Sequence, residues 1–321
     1  MNHKSCPFCN SKKISFFLTT YDIENNTWNL YYCFSCNFYF LDPLPDEKVL
    51  EKAYSTEYYG KGEKKFTYPL IENVINYFRQ SRARLIHKFL KYNHNAHILD
   101  IGCGNGQFLN YLYKKGYKNL YGIELPGKSA ERASKFSFIK LHTGTIFSQK
   151  FEDNTFDAIT MFHVFEHTTN PVEAILLISK WLKPYGYFIV SFPNICSRQA
   201  RWFKGKWLHL DPPRHLNFIC PEQLIKKMEM YNLKIVKKQY FSIEQNPFGY
   251  LQSLLNVISS KRELLFESFK GNKEYLKNVS FFELLAHRML FYFFMPVFVI
   301  FDIIDSLTSQ SGTVLLVFKK E

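Results

Sequence analysis

From His97 onward, short apolar strands alternate with helical stretches, and the first strand runs into a glycine-rich turn: His97-Ile98-Leu99-Asp100-Ile101-Gly102-Cys103-Gly104-Asn105-Gly106-Gln107-Phe108. Alternation of this kind is the pattern of a parallel sheet covered by helices on both faces, an α/β fold. Strands are expected at about 97–101, 119–124, 138–142, 156–162, 186–192, 233–241 and 313–319. Helices follow the first five. The one after the fourth strand has a strong start signal, with Asn170 able to cap, Pro171 at the first helical position and Glu173 completing a capping-box-like pattern. Ahead of the sheet, Ile71, Val74, Ile75, Phe78, Leu85, Ile86 and Phe89 recur at helical spacing and predict a long helix with one buried face. It follows a tyrosine-rich loop at Tyr54, Tyr58, Tyr59 and Gly60.

Glycines in a strand-to-helix turn allow a tight bend and let a ligand approach the backbone closely. Their spacing here is Gly-x-Gly-x-Gly, not the Gly-x-Gly-x-x-Gly of dinucleotide sites. The second strand ends Leu120-Tyr121-Gly122-Ile123-Glu124, which sets an acid about 20 residues after the loop, where a carboxylate can accept both hydroxyls of a ribose.

On Asp100, the loop glycines and Glu124 in their strand context, the chain resembles the class I S-adenosylmethionine-dependent methyltransferases over residues 85 to 320. The resemblance implies a Rossmann-like seven-stranded sheet in the order 3-2-1-4-5-7-6, with the last strand antiparallel. It also implies S-adenosyl-L-methionine as cofactor, its methionine part wrapped by the glycine loop and its ribose held by the acid. Carried over, the cofactor residues are Asp100, Gly102, Gly104, Gly106 and Glu124, with Cys103 between the glycines. Many members place Asp after Gly at the end of the third strand, touching adenine; this chain reads Gly144-Thr145, so Thr145 takes that position. Another nucleotide-binding doubly wound domain, or a methyltransferase fold kept as a scaffold, are the alternatives.

The fourth strand ends in His163-Val164-Phe165-Glu166-His167. Open parallel sheets place ligands at the carboxyl ends of their strands. This phrase resembles the Leu-Glu-His motif of small-molecule methyltransferases, including those of quinone, sugar and surface-polysaccharide pathways, and Leu182-Lys183-Pro184-Tyr185-Gly186 resembles their Leu-Lys-Pro-Gly-Gly turn. The phrase Asp211-Pro212-Pro213-Arg214-His215 resembles a bacterial subgroup, many of whose members carry an amino-terminal zinc ribbon. An oxygen acceptor must lose a proton, for which imidazole is suited near neutral pH. His167 and His215 are the candidate bases, Glu166 an orienter, and His163 a cofactor-pocket residue. The alternatives are that Glu166 and His167 cap the loop or pair with Arg214, or that His and Glu hold a metal.

Cys6-Pro7-Phe8-Cys9 and Cys33-Phe34-Ser35-Cys36 present four thiolates as two Cys-x-x-Cys turns, the spacing that surrounds a tetrahedral Zn2+ and leaves no position for a reacting water. Residues 1–42 are therefore expected to be a small structural zinc ribbon, with Trp28 to Tyr32 a strand entering the second pair. Residues 43–94 follow as linker and N-terminal helices, and 95–321 as the methyltransferase domain. Within it, 243–312 is too long for a simple connection and is expected to be a helical insertion or lid. Cys103, Cys196 and Cys220 have no partners at ligand spacing and read as ordinary buried thiols.

The formal charge of +13 favours anionic partners. Residues 195–240 hold ten Lys or Arg and three Asp or Glu, and Arg198, Arg201, Lys204 and Lys206 sit beside Trp202, Phe203 and Trp207, a setting suited to a phosphate-bearing acceptor or simply a solvated basic face. The expected partner is a small molecule, a sugar or lipid-linked glycan precursor, and nucleic acid is disfavoured. A zinc-ribbon RNA methyltransferase and an inactive zinc-bearing scaffold are the rival readings. The thiol pattern and the absence of an apolar segment in Met1 to Cys6 point to a cytoplasmic chain. Met289 to Phe301, 13 residues without a charge and interrupted by Pro296, is too short to span a bilayer. Burial against the fold is its expected state, with contact at the inner membrane surface the alternative.

Overall fold

The structure, a computed structural model, describes residues 5–54 and 69–321. The expected loop at Tyr58, Tyr59 and Gly60, and the side chains at Ile71, Val74 and Ile75, lie outside the described residues. The chain forms two compact units that are not consecutive in sequence. Of the described residues, one comprises 5–54, 69, 193–223 and 239–314; the other comprises 70–192, 224–238 and 315–321.

In the first unit, β1 (Ile14–Tyr21), β2 (Thr27–Cys33) and β3 (Phe38–Leu41) form an antiparallel meander. The strands β4 (His97–Ile101), β5 (Asn119–Glu124), β6 (Ile139–Thr143), β7 (Phe156–Phe162) and β8 (Leu182–Pro193) belong to the second unit's sheet. The short β9 (Asn217–Ile219) joins the meander, pairing with β3 in the register Tyr39↔Phe218. Sequence spacing had not singled it out, because three residues are too few to show a period. Finally, β10 (Leu233–Gln239) and β11 (Thr313–Lys320) complete the seven-stranded sheet. Its order, β6-β5-β4-β7-β8-β11-β10, is the expected 3-2-1-4-5-7-6. The pairings β4–β5, β4–β7, β5–β6 and β7–β8 are parallel.

The second unit's core follows from the strand and helix periods. Leu99 and Ile159 are aligned neighbours in the central strands, and both are fully buried. Helix Pro69–Phe89 contributes Ala83 and Ile86, and helix Gln107–Lys114 contributes Phe108, Leu109 and Leu112. Tyr117 is fully buried, and its hydroxyl meets His87 Nδ1 at 3.0 Å, which satisfies a polar group that would otherwise be costly to bury. Helix Pro171–Trp181 starts as expected: Asn170 Oδ1 accepts from the Glu173 N–H, and the Asn170 amide donates to the Glu173 carboxylate. The Leu182–Gly186 turn lies at the start of β8, and Tyr185 there has φ 65°, the left-handed region that favours glycine.

The first unit's core joins the meander to residues after β8. Leu30, Leu41, Trp207, Leu210, Leu216 and Phe218 pack together, and Trp207 Nε1 donates to the buried Gln199 Oε1. Cys196 and Cys220 are bonded as a disulfide with a Cα–Cα distance of 5.3 Å, not separate thiols as expected. A separation of 24 residues carries no signature, and only the return of β9 past residue 196 reveals the pair. Helices Asn246–Ile258 and Phe281–Leu307 pack through Tyr250 and Phe298, whose rings stack with centroids 5.3 Å apart. The second of these helices continues past Pro296 and has 27 residues. Its apolar stretch is largely exposed and not buried as expected: only 17% of its most apolar 18-residue window is buried.

Candidate functional site

The glycine turn leaves β4 with all three glycines at positive φ: 72° at Gly102, 57° at Gly104 and 74° at Gly106. A Cβ on Gly102 would stand 2.3 Å from Val164 Cγ2, and one on Gly106 would stand 2.9 Å from Ile139 Cδ1, so both are packed from outside. Gly104 differs: nothing lies within 4 Å of its Cβ position. The turn therefore presents an open cradle of backbone at its middle glycine. Cys103 points the other way, into the core, where its sulfur would be 2.7 Å from a Cβ on Gly122. Only its backbone is available to a ligand. Burial pushes its thiol pKa up, so it stays protonated and unreactive.

Glu124, at the tip of β5, is 8% exposed. The Gly104 N–H donates to its Oε2 at 2.6 Å and the Leu125 N–H to its Oε1 at 3.2 Å. A carboxylate has about four lone-pair sites, so two backbone donors fix its orientation and leave acceptor capacity for a pair of hydroxyls. Burial raises its pKa and the two N–H donors oppose that rise. Asp100, at the end of β4, is 4% exposed and accepts from Thr160 Oγ1 at 2.6 Å. Burial pushes its carboxyl up to about 7, against the lowering effect of the Thr160 hydroxyl. Gly144 follows β6 with φ 130° and its N–H donates to the Glu124 carbonyl, which sets Thr145, exposed, beside the end of β5.

At the end of β7, His163 takes φ 54° and its N–H donates to the Ser191 carbonyl. Its Nδ1 lies 3.5 Å from Glu166 Oε1, so this i,i+3 neighbour is a partner of the buried Glu166 carboxylate. Glu166 and His167 form a single 3-10 turn with Phe165, and His167 is half-buried. The carboxyl ends of four adjacent strands thus carry Asp100, Glu124, Thr145 and His163 with Glu166.

In the other unit, Arg214 forks onto Asp211: Nε donates to Oδ2 at 3.0 Å and NH2 to Oδ1. The buried His215 bonds through Nδ1 to the His209 carbonyl at 2.8 Å, and its Nε2 is 3.7 Å from Asp211 Oδ2. Of the basic residues expected near an acceptor, Arg198 is already engaged, its Nε donating to the buried Asp305 at 2.6 Å. A cavity of about 280 Å3 is walled by Tyr39, Ile195, Ala200, Trp207 and Leu210, with Arg201 and Lys204 also lining it.

The sulfurs of Cys6, Cys9, Cys33 and Cys36 all lie within 4.8 Å of one another. Cys6 and Cys36 are 3.6 Å apart, and Cys9 and Cys33 are 3.5 Å apart. Zn–S bonds of about 2.3 Å in tetrahedral geometry put sulfurs about 3.8 Å apart, so the set fits such an ion. A hydrogen bond from Cys36 already holds the Cys6 thiol down to about 6.

Three contributors were not evident in sequence. Thr160 and Arg82 belong to no motif, and Val164, inside the His163–His167 phrase, has no polar group to mark it. Thr160 is seen only because β7 pairs in register with β4, Asp100 opposite Thr160. Val164 covers Gly102. Arg82 stands 5.1 Å over the Phe162 ring, and its charge acts on Asp100.

A family profile described as "Methyltransferase domain" matches residues 74–238. Phosphoethanolamine N-methyltransferase of Plasmodium falciparum is 24% identical over 218 residues, covering 66% of this chain and 78% of that protein. A ubiquinone biosynthesis O-methyltransferase of Rickettsia conorii is 26% identical over 196 residues, covering 54% of this chain and 66% of that one. Among solved structures, a protein assigned as a sarcosine dimethylglycine methyltransferase from Galdieria sulphuraria matches with a TM-score of 0.50 at 14% identity, over 84% of this chain and 98% of that one, a likeness of fold alone.

Proposed function

Because the chain belongs to the methyltransferase-domain family, we propose that it binds S-adenosyl-L-methionine at the ends of β4 and β5 and methylates a small-molecule acceptor. The observation that carries this reading is the Glu124 carboxylate, held by the Gly104 N–H beside a backbone cradle that is open over Gly104. When bound, the cofactor supplies an electrophilic methyl group on a sulfonium. Glu124 would take the ribose diol on its remaining lone pairs, Gly104 would let the ligand lie against the main chain between the packed Gly102 and Gly106, and Asp100 would hold the loop through Thr160. Cys103, whose side chain faces the core, would contribute backbone only. Thr145 and His163 would border the same ligand.

An in-line methyl transfer depends mostly on alignment of acceptor and methyl group. If the acceptor atom is a hydroxyl, His167 or His215 would receive its proton. Glu166 would orient an imidazole, and His163 Nδ1 approaches its carboxylate to 3.5 Å. The finer reading is an acceptor of sugar or lipid-linked glycan type that bears phosphate. Arg201 and Lys204 beside an apolar cavity support it, as do relatives named for phosphoethanolamine and ubiquinone precursors, both small molecules. We take the four-cysteine cluster as a structural Zn2+ site.

Calorimetric titration with S-adenosylmethionine, or with its demethylated product, tests the cofactor reading. The wild-type chain should bind, and Glu124→Ala should weaken binding by about a hundredfold, the loss of two charge-assisted hydrogen bonds. A folded wild-type chain that gives no heat would sink the proposal. Labelled methyl transfer into fractionated cell extract would then identify the acceptor.

A further inference from the structure

We propose that the exposed face of helix Phe281–Leu307 lies in the plane of an anionic lipid surface and docks the protein there. The inference is independent of how the donor site is read.

The two faces of this helix carry different chemistry. Along one face, polar side chains tie it to its own unit near both ends, and apolar packing joins it between them. Glu283 accepts from the Ser260 N–H and hydroxyl, and His287 Nε2 meets Ser259 Oγ at 2.9 Å. Nearer the carboxyl end, Asp302 accepts from Asn246, Ser311 and the Ser242 N–H, and Asp305 accepts from Arg198 and Tyr250. Along the opposite face, Phe282, Leu285, Met289, Phe293, Ile300 and Leu307 recur at helical spacing, all exposed, with Phe293 at 72% and Leu307 at 81%. Monomeric surfaces rarely leave so continuous an apolar stripe to water. The helix extends about 40 Å along this stripe.

By length and composition the helix could cross a bilayer, and only its inner face argues otherwise. Spanning would surround it with hydrocarbon and strip Asp302 and Asp305 of their partners. Its packed neighbour, Asn246–Ile258, has 13 residues, too few to cross beside it. Lying in the interface keeps every tie and buries only the apolar stripe.

Charge selects lipid over a second copy of the chain. Trp202, 54% exposed, edges onto Phe301 of the helix at a centroid distance of 6.0 Å, and the short segment that carries it also carries the exposed Arg201, Lys204 and Lys206. Segment 198–206 contains no acid. Among the exposed residues of the helix the one charge is Arg288, while Asp302 and Asp305 are fully buried. A second copy seated on this face would offer those cations nothing to pair with. A layer of anionic headgroups would, and an interfacial Trp and Tyr292 suit its boundary.

Flotation of the full chain with phosphatidylcholine vesicles, with and without phosphatidylglycerol, tests this. The wild type should float with the anionic vesicles, less so at high salt, and alkaline carbonate should release it. Phe293→Asp, a fully outward position, should lower the vesicle partition by about tenfold or more while leaving the circular dichroism unchanged. Arg201→Ala combined with Lys204→Ala should weaken anionic binding and leave any binding to neutral vesicles as it was. Wild-type protein remaining in the unbound fraction at all lipid concentrations would overturn the proposal. So would resistance to carbonate, which means a spanning helix, or a dimer in light scattering that Phe293→Asp dissolves without any vesicle binding.

Discussion

Replacing Asp100 by Asn should flatten the pH dependence of stability, and the size of the effect follows from its burial. The carboxyl is 4% exposed, and burial raises its pKa from the ordinary 3.8 to about 7 in the folded chain. The unfolded chain therefore gives up this proton earlier than the folded one. The group's contribution to stability is fully present below about pH 4 and is lost as pH rises through 7, after which nothing more is lost. A shift of about three units corresponds to about 4 kcal/mol in all, of which about 2.6 kcal/mol falls between pH 5 and pH 8. Asn keeps an oxygen for the Thr160 hydroxyl and carries no charge, so Asp100→Asn should lack that slope. Glu263, also pushed up to about 7 by burial, contributes the same slope to both proteins and drops out of the difference. Urea unfolding of both proteins at pH 5, 6.5 and 8 measures this directly. Identical slopes for wild type and variant would refute the assignment of a proton to buried Asp100.

The glycine turn makes a paired prediction. Gly104→Ala should cost about 1–2 kcal/mol for its positive φ and keep the fold, while obstructing the open cradle and weakening donor binding. Gly102→Ala meets Val164 Cγ2 as well as a positive φ, and should cost about 2–5 kcal/mol in a chemical denaturation curve. Arg198→Met leaves the Asp305 carboxylate buried with the Tyr250 hydroxyl as its remaining side-chain donor and should destabilise its unit by about 3 kcal/mol, measured by the shift in the urea midpoint. Metal analysis of protein purified without added metal should give about one zinc per chain, lost in Cys33→Ser. Chelation should lower the melting temperature of the wild type and leave that variant unmoved; no zinc in the wild type would remove the metal reading.

Much of this fold was readable along the chain because its signals are local. The strand spans 97–101 and 119–124 are those observed, since a buried parallel strand must be a short apolar run bounded by turn residues. The cap at Asn170 and the Cys-x-x-Cys turns were equally evident, because a cap or a chelating turn is complete within four residues. The sheet pattern put Glu124 at the tip of the strand that follows the glycine turn, and the structure adds the Gly104 N–H as its donor.

Tertiary structure alone decided the rest. Thr160 under Asp100, Val164 against Gly102 and the Cys196–Cys220 bond join residues with no periodic relation, so composition and spacing are silent about them. The segment Phe281–Leu307 is the sharpest case. Its hydrophobicity reads the same whether it is packed inside or laid on a surface. Only the direction of Asp302 and Asp305, inward to named donors, settles which side of the helix faces out. A sequence determines what each stretch of chain can bury; which partner does the burying depends on where distant stretches meet.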